Sequence, residues 1–193
     1  MTDPSAPAID PAGRLNIARW RPSPNADQRP PGSEPDLLVI HNISLPPGHF
    51  GGSWIEQLFQ NRLDPSAHPF FARLAGLRVS AHLLIRRDGE LLQFVELDRR
   101  AWHAGRSAFE GRPECNDYSI GIELEGSDEI PFQPAQYARL AQVTALIRAR
   151  YPAITPARIT GHQEIAPGRK TDPGPAFDWD RYRALLNDSE GGR

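Results

Sequence analysis

S-I-G-I-E-L-E-G-S-D-E-I-P-F-Q-P-A-Q-Y-A-R-L-A-Q-V-T-A-L-I-R-A-R-Y, Ser119 to Tyr151, changes its hydrophobic period halfway along. In its first seven residues Ile120, Ile122 and Leu124 alternate with Gly121, Glu123 and Glu125, the period of a strand with one apolar face. From Pro134 the spacing of Tyr137, Leu140, Ala141, Thr144 and Ile147 is that of a helix, and Pro152 ends it. A strand that hands over to a long amphipathic helix points to layers of sheet and helix.

Working outward, similar elements lie on both sides. Upstream, Leu37-Leu38-Val39-Ile40 is a short apolar run after Pro35, the pattern of a buried strand that ends at His41. Trp54 to Phe59 reads as a short helix with Ser53 as its N-cap. Val79 to Arg87 and Glu90 to Glu96 are rich in strand formers and joined by Asp88-Gly89, a hairpin signal. Downstream, Arg158 to Thr160 reads as a last strand, and Asp178 to Leu186 as a last helix capped by Asp178. No internal repeat is present. These elements define an α/β fold, a single domain with one sheet. Residues 1–36 are proline-rich and read as an extended N-terminal arm, anchored through Leu15 to Trp20. The domain itself spans 37–187, and 188–193 reads as a flexible tail.

The 193 residues and a net charge of −2 suit one domain with a real core and exclude a strongly basic nucleic-acid surface. The single cysteine, Cys115, excludes an internal disulfide and a cysteine-rich zinc site. The N-terminus has neither the basic nor the apolar region of a secretory signal, and no apolar run is long enough to span a bilayer. A cytoplasmic protein that binds neither nucleic acid nor membrane is the expectation.

The chemistry concentrates in T-G-H-Q-E-I-A-P-G-R-K-T-D-P-G-P, Thr160 to Pro175. Pro167, Gly168, Pro173 and Gly174 forbid a continuous helix or central strand there, so His162, Glu164, Lys170 and Asp172 are expected on a shaped loop. A histidine and a carboxylate on one loop could be two ligands of a catalytic zinc, which needs a third protein ligand and an open position. On its own the loop could equally be an ordinary capped surface turn. His41 is the best third candidate because it ends a buried strand, where α/β sheets build their sites. His82, within a strand, could be a core or supporting residue, and His103 lies in a small-residue loop suited to close approach. His68 reads as structural. Glu164 in H-x-E is reminiscent of zinc deaminases, but the P-C-x-x-C segment they require is missing, as is the H-E-x-x-H of metalloproteases.

Five ordered motifs carry a resemblance. V-I-H-N-I-S-L-P-P-G, R-V-S-A-H-L-L-I-R-R-D-G, R-A-W-H-A-G, C-N-D-Y-S-I-G-I-E-L-E-G and G-H-Q-E-I-A-P-G-R-K-T-D-P-G-P closely resemble the AmpD-type zinc amidases. That family is related to phage T7 lysozyme and the peptidoglycan recognition proteins. The likeness runs from about Leu15 to Leu186. It implies a central mixed β-sheet flanked by helices, and a Zn2+ cofactor held by His41, His162 and Asp172, with Glu123 and Lys170 as the catalytic pair. The implied reaction is hydrolysis of the amide between (anhydro-)N-acetylmuramic acid and L-alanine in muropeptides, in cytoplasmic peptidoglycan recycling. A muropeptide is then the only partner expected. The competing expectation is a peptidoglycan-binding module without catalysis, which would lack the complete ligand set.

In such a reaction Glu123 would serve as general base and Lys170 would stabilise the oxyanion. Glu125, on the same strand face, would either tune Glu123 by like-charge repulsion or face solvent. For substrate contacts, Arg78 suits a peptide carboxylate, Trp102 and His103 a wall against the sugar, and Asn42 a substrate amide. One departure stands out. The family pattern has arginine just before the cysteine of C-N-D, whereas this chain has Glu114, with Arg112 two residues earlier.

Overall fold

A computed structural model describes residues 6–191. Six strands form the central sheet: β1 (Arg19–Trp20), β2 (Leu37–Ile43), β3 (Leu83–Ile85), β4 (Leu91–Gln93), β5 (Ser119–Glu125) and β6 (Ile159–Gly161). Their spatial order is β1-β4-β3-β5-β2-β6. Only the β3–β4 hairpin is antiparallel; the other four pairings are parallel, so the sheet is mixed. Among the described residues four α-helices accompany it: α1 (Trp54–Phe59), α2 (Pro134–Arg150), α3 (His162–Ile165) and α4 (Trp179–Gly191).

The alternation read from Ser119 to Glu125 sorts the two faces correctly. Ile120, Ile122 and Leu124 join Leu38, Ile40, Leu83 and Ile85 in one core beneath α2 and α4, with Tyr137, Leu140, Ile147 and Tyr182. What alternation did not reveal is that the other face is also closed. Every residue of β5 is buried, Glu123 and Glu125 included. That second face is covered by α1, the turn Phe71–Leu74 and loops that return over the sheet. Covering both faces of strands in parallel pairing is what such strands require.

Several boundaries differ from the sequence reading. The hairpin strands are shorter than expected at both ends: Arg86 to Glu90 are spent on the turn, where Gly89 has φ +87°, and residues 79–82 and 94–96 lie outside the strands. Ser53 sits at the N-cap of α1 but makes no capping bond; its hydroxyl instead accepts from the Gln57 side chain at 2.8 Å. Asp178 does cap α4, accepting the Arg181 N–H at 2.9 Å. That helix continues to Gly191, past Leu186, since no breaker intervenes. His162 opens one helical turn, α3, directly after β6, rather than lying on an irregular loop; the first breaker, Pro167, comes only after that turn.

From the arm, Arg19–Trp20 adds the edge strand β1, and Leu15 is buried in the main core. Arg29 is buried as well, donating to the carbonyls of Leu97, Asn116, Asp117 and Ser119 at 2.8–3.1 Å. Residues 1–5 and the tail residues 192–193 lie outside the described residues. No helix of the structure is long and apolar enough to cross a membrane.

Candidate active site and metal centre

Strand register assembles the site. Gly161 of β6 pairs with Ile40 of β2, and Ile40 with Ile122 of β5. One residue further on, His162, His41 and Glu123 therefore form a row across three adjacent parallel strands. The row lies towards the C-terminal ends of those strands, where open α/β sheets bind ligands. Asp172 joins it from the loop after α3, whose return is fixed by the Gln163 N–H donating to the Asp172 carbonyl at 2.9 Å.

Three ligand-type atoms converge. His41 Nδ1 is 2.9 Å from His162 Nδ1, and each lies 3.0 Å from Asp172 Oδ2. Among the described residues these three form the group of metal-ligating side chains close enough to share an ion. Glu164 is not in it; it is exposed and accepts from the Gln163 side chain. The triangle's edges are a few tenths of an ångström below the roughly 3.3 Å expected between donors of a tetrahedral zinc with bonds near 2.0 Å.

The donor chemistry fits as well. His162 Nε2 lies 3.0 Å from the Ala104 carbonyl, which can only accept, so Nε2 carries a proton and Nδ1 is the atom whose lone pair a cation would take. Burial holds His41 neutral, its pKa lowered to about 4 even though Asp172 pulls the other way. Burial alone would raise the Asp172 pKa, but bonds to His162 and His41 outweigh it and keep the carboxylate ionised. Two imidazole Nδ1 atoms and one carboxylate oxygen facing a common point are a donor set for a divalent cation.

Glu123 stands beside them, on the same rung as His41. The residue is 9% exposed, and its Oε2 is buried with no hydrogen-bond partner. Burial, then the Asp172 charge, raises its pKa well above the usual carboxylate range, while Lys170 opposes the shift. Lys170 is exposed at the rim and forms no ion pair among the described residues. Its charge is nevertheless felt at both His41 and Glu123.

Glu125 neither faces solvent nor acts on Glu123. It is 2% exposed, paired with Arg86 Nη1 at 3.1 Å, and accepts the Gly51 N–H at 2.7 Å. The carboxylate that perturbs Glu123 is Asp172 instead.

The expected substrate contacts divide. Asn42 spends both amide protons on the scaffold, donating to Asp128 Oδ1 at 2.8 Å and the Pro173 carbonyl at 3.0 Å, so only its oxygen remains. Arg78 is exposed and lines a small cavity with Leu58, Phe71 and Leu74, apart from the row. Trp102 is half-buried beside the site, its backbone N–H bonded to Ser80 Oγ at 3.1 Å. His103 Nδ1 lies 2.9 Å from His41 Nε2, and its ring rests on Gly121. His82 is a core residue, accepting the Gly121 N–H at 3.0 Å and facing the Arg99 carbonyl at 3.0 Å. Arg112 does not stand in at Glu114: it bonds Asp36 at 2.8 Å and stacks on Tyr118.

Sequence reasoning attached no role to Asn116, Ser119 or Arg169, all of which bond to His103 or Ala104, the residues that meet the outer nitrogens of His41 and His162. Asn116 Oδ1 accepts the N–H groups of His103 and Ala104 at 3.1 and 2.8 Å. Arg169 donates to the Ala104 carbonyl at 2.6 Å. Bonds to backbone leave little trace in sequence, although Arg169 adjoins Lys170 and Asn116 lies in the C-N-D segment.

Comparison with known proteins agrees with this geometry. The family described as N-acetylmuramoyl-L-alanine amidase matches residues 31–175. The 1,6-anhydro-N-acetylmuramyl-L-alanine amidase AmpD of Escherichia coli (strain K12) is 61% identical over 175 residues, 91% of this chain and 95% of that protein. The crystal structure of a selenomethionine derivative of AmpD superimposes with a TM-score of 0.89 at 60% identity, covering 91% of this chain and 97% of that one. A more distant neighbour, at 31% identity and TM-score 0.57, is the amidase AmiD from E. coli in complex with the substrate anhydro-N-acetylmuramic acid-L-Ala-D-gamma-Glu-L-Lys; 82% of this chain and 60% of that one are covered. With that match across most of its length and a full set of ligand-type side chains at its centre, this chain belongs to the N-acetylmuramoyl-L-alanine amidase family.

Proposed function

We infer that this protein is a zinc-dependent amidase of cytoplasmic peptidoglycan recycling. It cleaves the bond between the lactyl carbonyl of 1,6-anhydro-N-acetylmuramic acid and the nitrogen of L-alanine in muropeptides. The observation that carries this reading is the convergence of His41, His162 and Asp172 beside a buried, unpartnered Glu123, in a chain so similar to AmpD.

His41, His162 and Asp172 would hold the ion through Nδ1, Nδ1 and Oδ2. The chemistry such an ion supplies is Lewis acidity, which polarises a carbonyl and acidifies water. Two neutral donors and one carboxylate leave the centre with net positive charge, so that acidity survives ligation.

Glu123 then handles the proton. Its carboxylate takes one proton from the attacking water and delivers it to the alanine nitrogen as the C–N bond breaks. A raised pKa suits both halves of this task, since the group must accept a proton and later release it to an amine. Lys170 stands at the rim with an uncommitted ammonium. It would stabilise the carbonyl oxygen as that atom gains negative charge, an effect that grows from ground state to transition state. Trp102 would flank the sugar, the Asn42 oxygen would accept from a substrate amide, and Arg78 would meet a peptide carboxylate only at the far end of an extended stem.

The test is direct. Zinc-loaded protein is incubated with purified anhydro-muropeptides, and mass spectrometry follows release of free stem peptide. Release is expected with zinc, lost after chelation and restored by zinc. A protein that binds the muropeptide and never releases peptide would instead be the non-catalytic binding module.

A further inference from the structure

Both histidine ligands turn their outer nitrogens toward the same dipeptide. His41 Nε2 is 2.9 Å from His103 Nδ1, and His162 Nε2 is 3.0 Å from the Ala104 carbonyl. We propose that His103-Ala104 is the positioning element of the metal centre, with His103 fixing the tautomer and direction of His41. This rests on the zinc reading above and deepens it.

The proton positions follow from the end of the chain inwards. Ser119 Oγ lies 2.5 Å from the Cys115 carbonyl, which can only accept, so the hydroxyl proton is committed there. Towards His103 Nε2, 3.2 Å away, the serine oxygen can then only accept. Neutral His103 therefore carries its proton on Nε2 and presents the Nδ1 lone pair to His41. His41 must in turn donate from Nε2. Its own lone pair is left on Nδ1, the atom facing His162 and Asp172.

Ala104 does the same for His162 with a backbone oxygen, so one loop aims both rings. Such outer partners set ligand tautomer and basicity in metal sites generally.

The dipeptide is itself held from three sides. Asn116 Oδ1 receives both of its N–H groups. Arg169 Nη2 donates to the Ala104 carbonyl at 2.6 Å and to the Arg106 carbonyl at 2.7 Å. The His103 ring lies flush on Gly121, where a Cβ would come within 2.5 Å of its Cγ and Nδ1. Glycine in the middle of a buried strand has a cost in stability. Here it creates the seat for His103, and that seat sets how far the ring stands from His41.

A role for His103 as a sugar-facing wall makes a different prediction. A wall acts on substrate affinity, whereas a positioning residue acts on the metal even when no substrate is present.

Apo-protein would be titrated with Zn2+ against a chromophoric chelator, and the Co2+-substituted protein examined by visible absorption. His103→Ala is expected to weaken zinc binding about 10–100-fold and to shift the cobalt bands. His103→Asn places an acceptor oxygen where Nδ1 stood, and is expected to recover most of the affinity and the native spectrum. In the native zinc protein, 15N spectra of the imidazoles should show His41 and His103 both protonated at Nε2. That measurement stands even if His103→Ala fails to fold. A His103→Ala protein with native zinc affinity and cobalt spectrum, changed only in KM, overturns the proposal, as does a His41 protonated at Nδ1. Failure of the native protein to take up stoichiometric zinc would be a separate result, removing the metal reading itself.

Discussion

His41 and Glu123 occupy the same rung of the parallel ladder between β2 and β5. Their side chains leave the same face of the sheet from backbones about 4.8 Å apart. The proposed metal ligand and the proposed proton-handling carboxylate are thus held on two adjacent, hydrogen-bonded central strands, which favours reproducible geometry at the reacting centre.

Glu123→Gln keeps size and one hydrogen-bonding pattern but cannot take a proton. It should retain zinc and lose kcat by about 10²–10⁴-fold. Stopped-flow or discontinuous assays beside metal analysis check this. Near-native kcat in that variant would remove Glu123 from the role of base; Glu125, locked to Arg86, is not poised to replace it.

Each of His41→Ala, His162→Ala and Asp172→Ala leaves two donors of three. All should lose zinc after gel filtration, and activity with it, whereas Glu164→Ala should keep both. Stoichiometric zinc with normal turnover in Asp172→Ala would transfer the ligand role to Glu164.

Lys170→Ala should hold zinc and lose about 10²–10³-fold in kcat, with little change in KM, because an oxyanion donor acts on the transition state. A rise in KM alone would make Lys170 an anchor for bound substrate instead.

The acid limb of kcat/KM should lie above the ordinary glutamate range. The base works only when deprotonated, and burial of Glu123 raises its pKa, so activity falls as pH drops through that raised value. Lys170 opposes the shift, so in Lys170→Ala the limb should move to still higher pH. Residual activity in Glu123→Gln should lack it. Coincident limbs in native protein and Glu123→Gln would show that another group titrates.

His82, which is not itself a ligand and packs edge-on against His103 at 5.7 Å between ring centroids, offers a stability test. Burial, reinforced by the Arg29 charge, lowers its pKa to about 3. The unfolded chain takes up this proton below about pH 6.5 and the folded chain does not, so stability is lost as pH falls through that window. Between pH 7 and pH 5 the loss from this one group is about 2 kcal/mol. Urea melts should show His82→Gln with a shallower dependence over that interval, by about that amount. Equal slopes would place the acid sensitivity elsewhere.

Much of this protein follows from one-dimensional pattern. The alternation at Ser119 to Glu125, the helical period after Pro134 and the hairpin at Asp88-Gly89 are local properties, and local steric preference together with burial is enough to produce them. The α/β class was legible for that reason, and the ordered motifs pointed to the family. His41 could be singled out because it ends a short apolar run that reads as a buried strand, and Glu123 through the resemblance, since alternation alone does not separate a catalytic carboxylate from a solvent-facing one.

What the folded structure alone decided are the partners of those residues. The bond from His162 to Ala104 spans 58 residues, that from His41 to His103 spans 62, and the contact of His41 with Asp172 spans 131. No local period encodes such pairings; they exist only once parallel register aligns β6, β2 and β5 and the covering loops close over them. The fate of Glu125 was hidden for the same reason. Its strand position was readable, but its burial against Arg86 and Gly51 depends on chain far away in sequence.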